Sequence, residues 1–196
     1  LSGTKTWDDK GNEAARPSSI TVILLRDGNE IGKSSEVKDP WTYSFTNLPR
    51  YDEGDGHEYV YTVKETAING YDSTPSGMNI TNKIQTTSIS VNKNWDDNKN
   101  SVGQRPTKIT VQLVQNVNNT NTNLGSGVEL NEGNGWSYKW TGLPTYVGGA
   151  KATYTVTESA VDNYQQSSIV YSENSETKVK TATITNKYKP GTTSRT

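Results

Sequence analysis

The chain has 196 residues, 20 Lys and Arg against 21 Asp and Glu, no Cys, a single His and 30% hydrophobic residues. A net charge of −1 without a basic block argues against nucleic acid or a membrane surface as partner, and the Cys and His counts remove disulfides, thiolate nucleophiles and multi-His metal centres. No apolar run approaches the ~20 residues of a membrane helix, and Leu1 begins without a signal peptide, so the chain reads as a piece of something longer.

In chain order, the first predicted strand carries Leu1, Gly3, Lys5 and Trp7 on one face and runs into Asp8-Asp9. Arg16-Pro17 then precedes the strand signal Ile20-Thr21-Val22, and Asp27-Gly28-Asn29 supplies hairpin-turn chemistry. Trp41, Tyr43 and Phe45 share one face of a further strand, as do Trp136, Tyr138 and Trp140 later in the chain, and all are expected in the core. After Leu48-Pro49 and an acidic Gly-rich loop over 52–56, a strand aligns Tyr59, Tyr61, Val63 and Glu65, and the last aligns Met78, Ile80 and Asn82.

The same landmarks then return in the same order. Lys5-Thr6-Trp7-Asp8-Asp9 recurs as Lys93-Asn94-Trp95-Asp96-Asp97, an offset of 88, and Trp41-Thr42-Tyr43 with Leu48-Pro49 recurs as Trp136-Ser137-Tyr138 with Leu143-Pro144, an offset of 95. Arg105-Pro106, Tyr154-Thr155-Val156 with Glu158, and Ile184-Thr185-Asn186 complete the second set. The offset drifts only in loops, which implies two homologous domains. The expected boundaries are 1–83 and 88–188, with a linker at 84–87 and, over 189–196, a second linker leading to a further copy. Thr192-Thr193-Ser194 repeats the Thr86-Thr87-Ser88 that introduces the second domain. Each copy reads as all-β: short Thr-, Val-, Ile- and Tyr-rich runs separated by Gly, Asn, Asp and Pro at the spacing of a sandwich, with no helical period.

Alternation also places polar residues on inward faces. Lys93 aligns with Ile89, Val91 and Trp95; Glu158 with Ala152, Tyr154 and Val156; Asn186 with Ala182 and Ile184. Lys5, Glu65 and Asn82 hold the matching positions in the first copy. One reading is a buried ion pair with an amide bonded to it, or strand ends where parity no longer means burial. The other is chemical: burial disfavours the charged amine, a neutral amine can attack a neighbouring carboxamide carbon, and a carboxyl group beside it can relay the protons to departing ammonia. The product would be a Lys–Asn isopeptide bond.

In its Lys-x-Trp-Asp-Asp, Arg-Pro, Trp…Leu-Pro, Tyr-Thr-Val-x-Glu and Ile-Thr-Asn segments, the chain resembles the Cna B-type repeats of Gram-positive surface adhesins over nearly all of both copies. The resemblance implies two tandem Greek-key sandwiches of immunoglobulin-like type. It also implies isopeptide bonds from Lys5 to Asn82 assisted by Glu65, and from Lys93 to Asn186 assisted by Glu158. By the same resemblance the chain is a stalk or spacer at the bacterial cell surface, tied to the wall by a region outside it. Its expected partners are tandem copies of itself and, through a neighbouring domain, a host extracellular-matrix protein. A matrix-binding module and a pilus subunit are the rival readings. No cofactor is expected, and no enzymatic turnover beyond the single self-cross-linking event.

Other candidates are weaker. The loops after Trp7 and Trp95 are acidic but lack the Gly and Glu spacing of an EF-hand and read as solvated turns. Asp8 and Asp9 are sequence neighbours rather than acids opposed across a cleft. His57 reads as a surface residue. The Asn79 and Asn118 sequons are short enough to arise by chance, and neither Leu-Pro pair continues as a wall-sorting signal.

Overall fold

The structure is a computed structural model and describes residues 1–191. The expected linker therefore lies within the description only to Gly191, and Thr192-Thr193-Ser194 falls outside the described residues. By internal contacts the chain forms two units, one of Leu1–Gln85 together with Pro144–Lys151, the other of Thr86–Leu143 with the chain from Ala152 onward.

In the first unit β1 (Ser2–Asp8), β4 (Thr42–Ser44), β6 (Tyr71–Ser76) and β7 (Asn79–Ile84) form one sheet in the order β4-β1-β7-β6. A second sheet is built from β2 (Ile20–Arg26), β3 (Asn29–Val37) and β5 (Tyr61–Glu65) in the order β3-β2-β5. The hairpin between β2 and β3 turns on Asp27 (φ 50°) and Gly28 (φ 79°), two consecutive left-handed residues as a primed turn requires. Ile20, Val22, Leu24, Val37, Val63 and Ile80 meet between the sheets and are almost fully buried.

The second unit repeats the plan. A sheet of β8 (Thr86–Asp96), β11 (Ser137–Pro144), β14 (Tyr164–Gln166), β15 (Val170–Glu173) and β16 (Lys180–Tyr188) has the order β11-β8-β16-β14, with β15 also pairing β16. Its companion contains β9 (Lys108–Val117), β10 (Thr120–Asn131) and β13 (Ala150–Glu158), in the order β10-β9-β13, while β12 (Tyr146–Val147) pairs only Ala150 and Lys151 at the start of β13, within the stretch that by contacts counts with the first unit. Asn118 (φ 51°) and Asn119 (φ 62°) form the hairpin tip between β9 and β10. The longer stretch before Asn186 is absorbed by β14 and β15, which lie one after the other along β16. Of residues 84–87, expected as a linker, only Gln85 lies between strands, because β7 runs to Ile84 and β8 starts at Thr86.

In each unit the first and last strands run parallel and adjacent, although they come from opposite ends of the domain. The register pairs Trp7 with Asn82 in one and Trp95 with Asn186 in the other. Inward alternation holds along these strands, and Leu1 is the exception at 54% exposed. Two aromatic expectations also fail. Trp41 precedes β4 in a left-handed turn (φ 62°), and Tyr138, the counterpart of the buried Tyr43, is 42% exposed. Space explains the second: a Cβ on Gly3 would lie 2.7 Å from the Tyr43 ring, whereas the equivalent position in the second copy is the fully buried Val91. Where Val91 fills the core, no room is left for a tyrosine ring.

Candidate cross-linking site

Lys5 sits on β1, Glu65 at the end of β5 and Asn82 on β7; Lys93, Glu158 and Asn186 hold the same places on β8, β13 and β16. Because Lys5 pairs with Ile80 and Trp7 with Asn82, the Lys and Asn of each unit are diagonal neighbours on one face of parallel strands. The Glu reaches that face from the opposite sheet. The structure thus brings together all six residues singled out in the sequence, as two sets of three.

Burial at both sites is nearly complete. Lys5 Nζ lies 3.7 Å from Glu65 Oε1 with both side chains at 0% exposure, and Lys93 Nζ lies 3.0 Å from Glu158 Oε1. Asn82 and Asn186 are equally enclosed. Neither polar atom of the Asn82 carboxamide has a hydrogen-bond partner, nor does Asn186 Oδ1, whereas each Glu carboxylate has the Lys amine beside it. Such orphaned groups are costly, since each has given up water without a replacement. Burial pushes the Lys5 ammonium down to about 8 against the opposing pull of Glu65, and burial likewise lowers Lys93. A readily deprotonated amine, a carboxamide and a carboxyl group therefore share a dry pocket.

The indole of the Lys-x-Trp segment roofs each amine. Lys5 Nζ is 3.6 Å from the Trp7 ring centre and Lys93 Nζ 4.5 Å from that of Trp95. Trp7 is held edge-on by Trp41 (5.1 Å) and Tyr71 (4.9 Å), and Trp95 by Trp136 (5.2 Å) and Tyr164 (4.9 Å). The left-handed turn at Trp41 and Trp136 serves this arrangement: the carbonyl of each accepts the backbone N–H of Lys5 or Lys93 at 2.8 Å.

A second buried cluster adjoins each site, and it takes one residue, Asp9 or Asp97, out of each acidic loop, whose remaining acidic residues stay exposed as expected. Asp9 accepts two bonds from Arg16, Nε at 2.8 Å and Nη2 at 2.6 Å, and a third from the Tyr71 hydroxyl at 3.0 Å. Asp97 is held in the same way by Arg105 (2.8 and 2.5 Å) and Tyr164 (3.0 Å). The Arg105 guanidinium draws the Asp97 carboxyl down to about 2, and Arg16 lowers that of Asp9. Through the tyrosine, each cluster fastens the chain just after the first strand to a strand paired with the last, β6 in one unit and β14 in the other. Their signal in the sequence was the joint recurrence of the second Asp, the Arg before Pro, and Tyr71 or Tyr164.

His57 is at the surface, as expected, but both ring nitrogens face carboxylates, Nδ1 that of Asp55 at 2.6 Å and Nε2 that of Asp27 at 3.0 Å. Those hydrogen bonds raise its pKa. Asp52, Asp55 and His57 converge closely enough to suggest a metal. Asp52 and Asp55, however, accept backbone N–H groups of their own loop, and Asp52 also accepts the Tyr59 hydroxyl at 2.6 Å, so the cluster serves the loop's own hydrogen bonding.

The model of the Cna protein B-type domain matches residues 1–83 and again 89–187. The collagen adhesin of Staphylococcus aureus is 40% identical over 203 residues, an alignment covering 97% of this chain but 16% of that protein. Among solved structures, a single B repeat unit of the collagen binding surface protein of Staphylococcus aureus is 39% identical, covering 97% of this chain and 98% of its own, with a TM-score of 0.42. A variant of the major pilin of Streptococcus pyogenes is similar in fold alone, 16% identical over 96% of this chain and 98% of its own, with a TM-score of 0.53. The chain spans about one sixth of the curated relative's length. With two full matches in sequence order, each containing one Lys, Glu and Asn set, this chain belongs to the Cna B-type domain family and carries two such domains in tandem.

Proposed function

We propose that the chain is a stalk repeat of a bacterial cell-surface adhesin, each domain closed by a self-formed Lys–Asn isopeptide bond. The observation that carries this reading is the dry Lys–Glu–Asn trio, present twice, bridging the first and last strands of each sandwich. In the reaction Lys Nζ, having lost a proton, attacks the Asn side-chain carbonyl carbon. The C–N bond to the amide nitrogen then breaks and ammonia leaves, while the Glu carboxyl accepts the amine protons and delivers one to the leaving group. Nothing is oxidised or reduced, and the reacting residues are consumed, so the event happens once per domain.

The mechanical consequence follows from strand order. A pull on the two ends of a domain enters at the Lys of the first strand and leaves through the Asn of the last, so the rest of both sheets is off the path. An amide, unlike a disulfide, is not opened by thiol exchange, so the protection is independent of redox state. The family relatives support a surface location and a structural rather than enzymatic role, and on our reading any matrix binding belongs to another region of the parent protein.

Intact mass tests the bonds. Each should remove one ammonia, so the folded protein should weigh about 34 Da less than its sequence, about 17 Da per bond, and Glu65→Gln should leave the first domain folded with about 17 Da restored. An unreduced mass after complete folding would refute both bonds. Stretching single molecules tests the function, with no release of the Lys5–Asn82 or Lys93–Asn186 segments at forces that unfold uncross-linked sandwiches. Full extension at such forces would remove the spacer mechanism and favour direct ligand binding.

A further inference from the structure

One atom of the proposed reaction has no partner in either domain, the carboxamide oxygen of the Asn. As the amine adds to the carboxamide carbon, negative charge gathers on Oδ1, and a site without water has to offer that oxygen a hydrogen-bond donor of its own. The Glu carboxyl is engaged with the amine, at 3.7 Å in the first unit and 3.0 Å in the second. The hydroxyl and guanidinium donors around the sites are committed elsewhere: Tyr71 and Arg16 to Asp9, Tyr164 and Arg105 to Asp97, and Tyr43 to the Met78 carbonyl.

The indole of the Lys-x-Trp segment has no such commitment. Nε1 of Trp7 is buried without a hydrogen-bond partner, and so is Nε1 of Trp95, while Asn82 Oδ1 and Asn186 Oδ1 are buried acceptors in the same condition. Strand register sets donor and acceptor side by side. Trp7 is the direct partner of Asn82 and Trp95 that of Asn186, so ring and carboxamide project from one face of parallel strands about 4.8 Å apart. The same ring lies over the amine, 3.6 Å from Lys5 Nζ to the Trp7 ring centre and 4.5 Å from Lys93 Nζ to that of Trp95. An unpaired donor next to an unpaired acceptor is costly in the resting site, and here the pairing recurs in both copies.

We infer that the indole N–H groups of Trp7 and Trp95 are the oxyanion donors of the two cross-linking reactions, each bonding the Asn side-chain oxygen as it becomes negative and the isopeptide carbonyl afterwards. The inference rests on the isopeptide reading. As the Lys Nζ pair bonds to the carbon, the carbonyl π pair moves onto Oδ1, where the indole holds it without giving up its proton; when ammonia leaves, that pair restores the C=O bond. Protons pass only between the amine, the Glu carboxyl and the leaving nitrogen. The spacing of Lys-x-Trp then has a reason. Two residues along a strand return the ring to the amine's face, opposite the Asn, which stands two residues beyond Ile80 or Ile184, the partner of the Lys.

The test refolds the full chain, isolated unfolded in urea before any bond forms, and follows the loss of ammonia by intact mass. Trp7→Phe, which keeps an aromatic roof and removes the N–H, should slow one of the two losses on the order of hundredfold and leave the other at its parent rate, and Trp95→Phe should slow the other. The slowing should be the same from pH 6 to pH 9, because an indole N–H does not titrate there. A deficit that vanishes at high pH would mean that the ring only shields the amine, and that result overturns the inference, as does closure of Trp7→Phe at the parent rate. Should the Phe variant fail to fold, the indole proton resonances decide: that of Trp7 should lie downfield in the parent protein and move upfield in Asn82→Ala while that of Trp95 stays, and an unmoved Trp7 resonance overturns the inference. Ammonia loss at unaltered rates removes the indole's role alone, whereas no loss in any chain refutes the isopeptide reading and this inference with it.

Discussion

The two domains keep the same site and fill their cores differently. Around the Lys, Glu and Asn, strand register, indole roof and flanking Asp–Arg–Tyr cluster are the same in both. A few ångströms further along the same sheet, the first domain uses Gly3 with Tyr43 and Phe45 inside, and the second uses Ile89 and Val91 with Tyr138 outside. Volume can be supplied from either strand, so packing tolerates exchange as long as the total is kept. An amine, a carboxyl and a carboxamide have no such substitutes, because each must present a particular atom at a particular place.

The largest test of this contrast is Lys93→Ala. Loss of the proposed cross-link, which would close about 90 residues, should cost the second domain about 4–5 kcal/mol on the chain-entropy account and leave the first nearly unchanged. Two calorimetric transitions, one moving and one fixed, would be the expected record; a common shift would show that the domains unfold together.

The core difference gives the next effect. Tyr43→Ala should destabilise the first domain by about 3 kcal/mol, through a cavity and the lost bond from the Tyr43 hydroxyl to the Met78 carbonyl. Tyr138→Ala should alter the second by less than about 0.5 kcal/mol, as at most exposed positions. Equal losses in urea unfolding would contradict the packing account.

Asp97→Ala should cost about 3 kcal/mol, since it strands the Arg105 guanidinium and the Tyr164 hydroxyl. The same pair carries a pH signature. The Asp97 carboxyl is held at about 2 when folded, against about 3.9 in an unfolded chain. Its contribution, about 2 kcal/mol, is therefore complete above pH 4 and lost as pH falls through the folded value. Asp97→Ala should flatten the acid limb of the second domain's stability curve, which thermal melts at pH 2–5 would record.

The smallest effect is on the amine. In an Asn82→Ala variant, which cannot make the proposed bond, Lys5 should keep the pKa of about 8 that burial gives it in the folded protein, against about 10.5 when unfolded. Over that interval the unfolded chain binds the extra proton, so the variant's first domain should gain stability as pH rises from 8 to 10. On the proposed cross-link, which consumes the amine in an amide, the parent protein should lack that Lys5-linked gain.

Much of this was legible without coordinates. The internal repeat, the Asp27-Gly28 hairpin and the inward parity of Lys5, Glu65, Asn82 and their counterparts all follow from local rules: φ preferences at turns and the two-residue period of a strand. Those rules act over a few residues and reach no further. That the first strand lies parallel to the last, with Trp7 opposite Asn82, was decided by how two sheets close around one core. Tertiary packing likewise drew Asp9 and Asp97 out of their acidic loops into the interior, because Arg16 and Tyr71, or Arg105 and Tyr164, arrive there from distant segments to satisfy them. It also turned Tyr138 outward, since the room a ring needs depends on whether glycine or valine stands on the neighbouring strand.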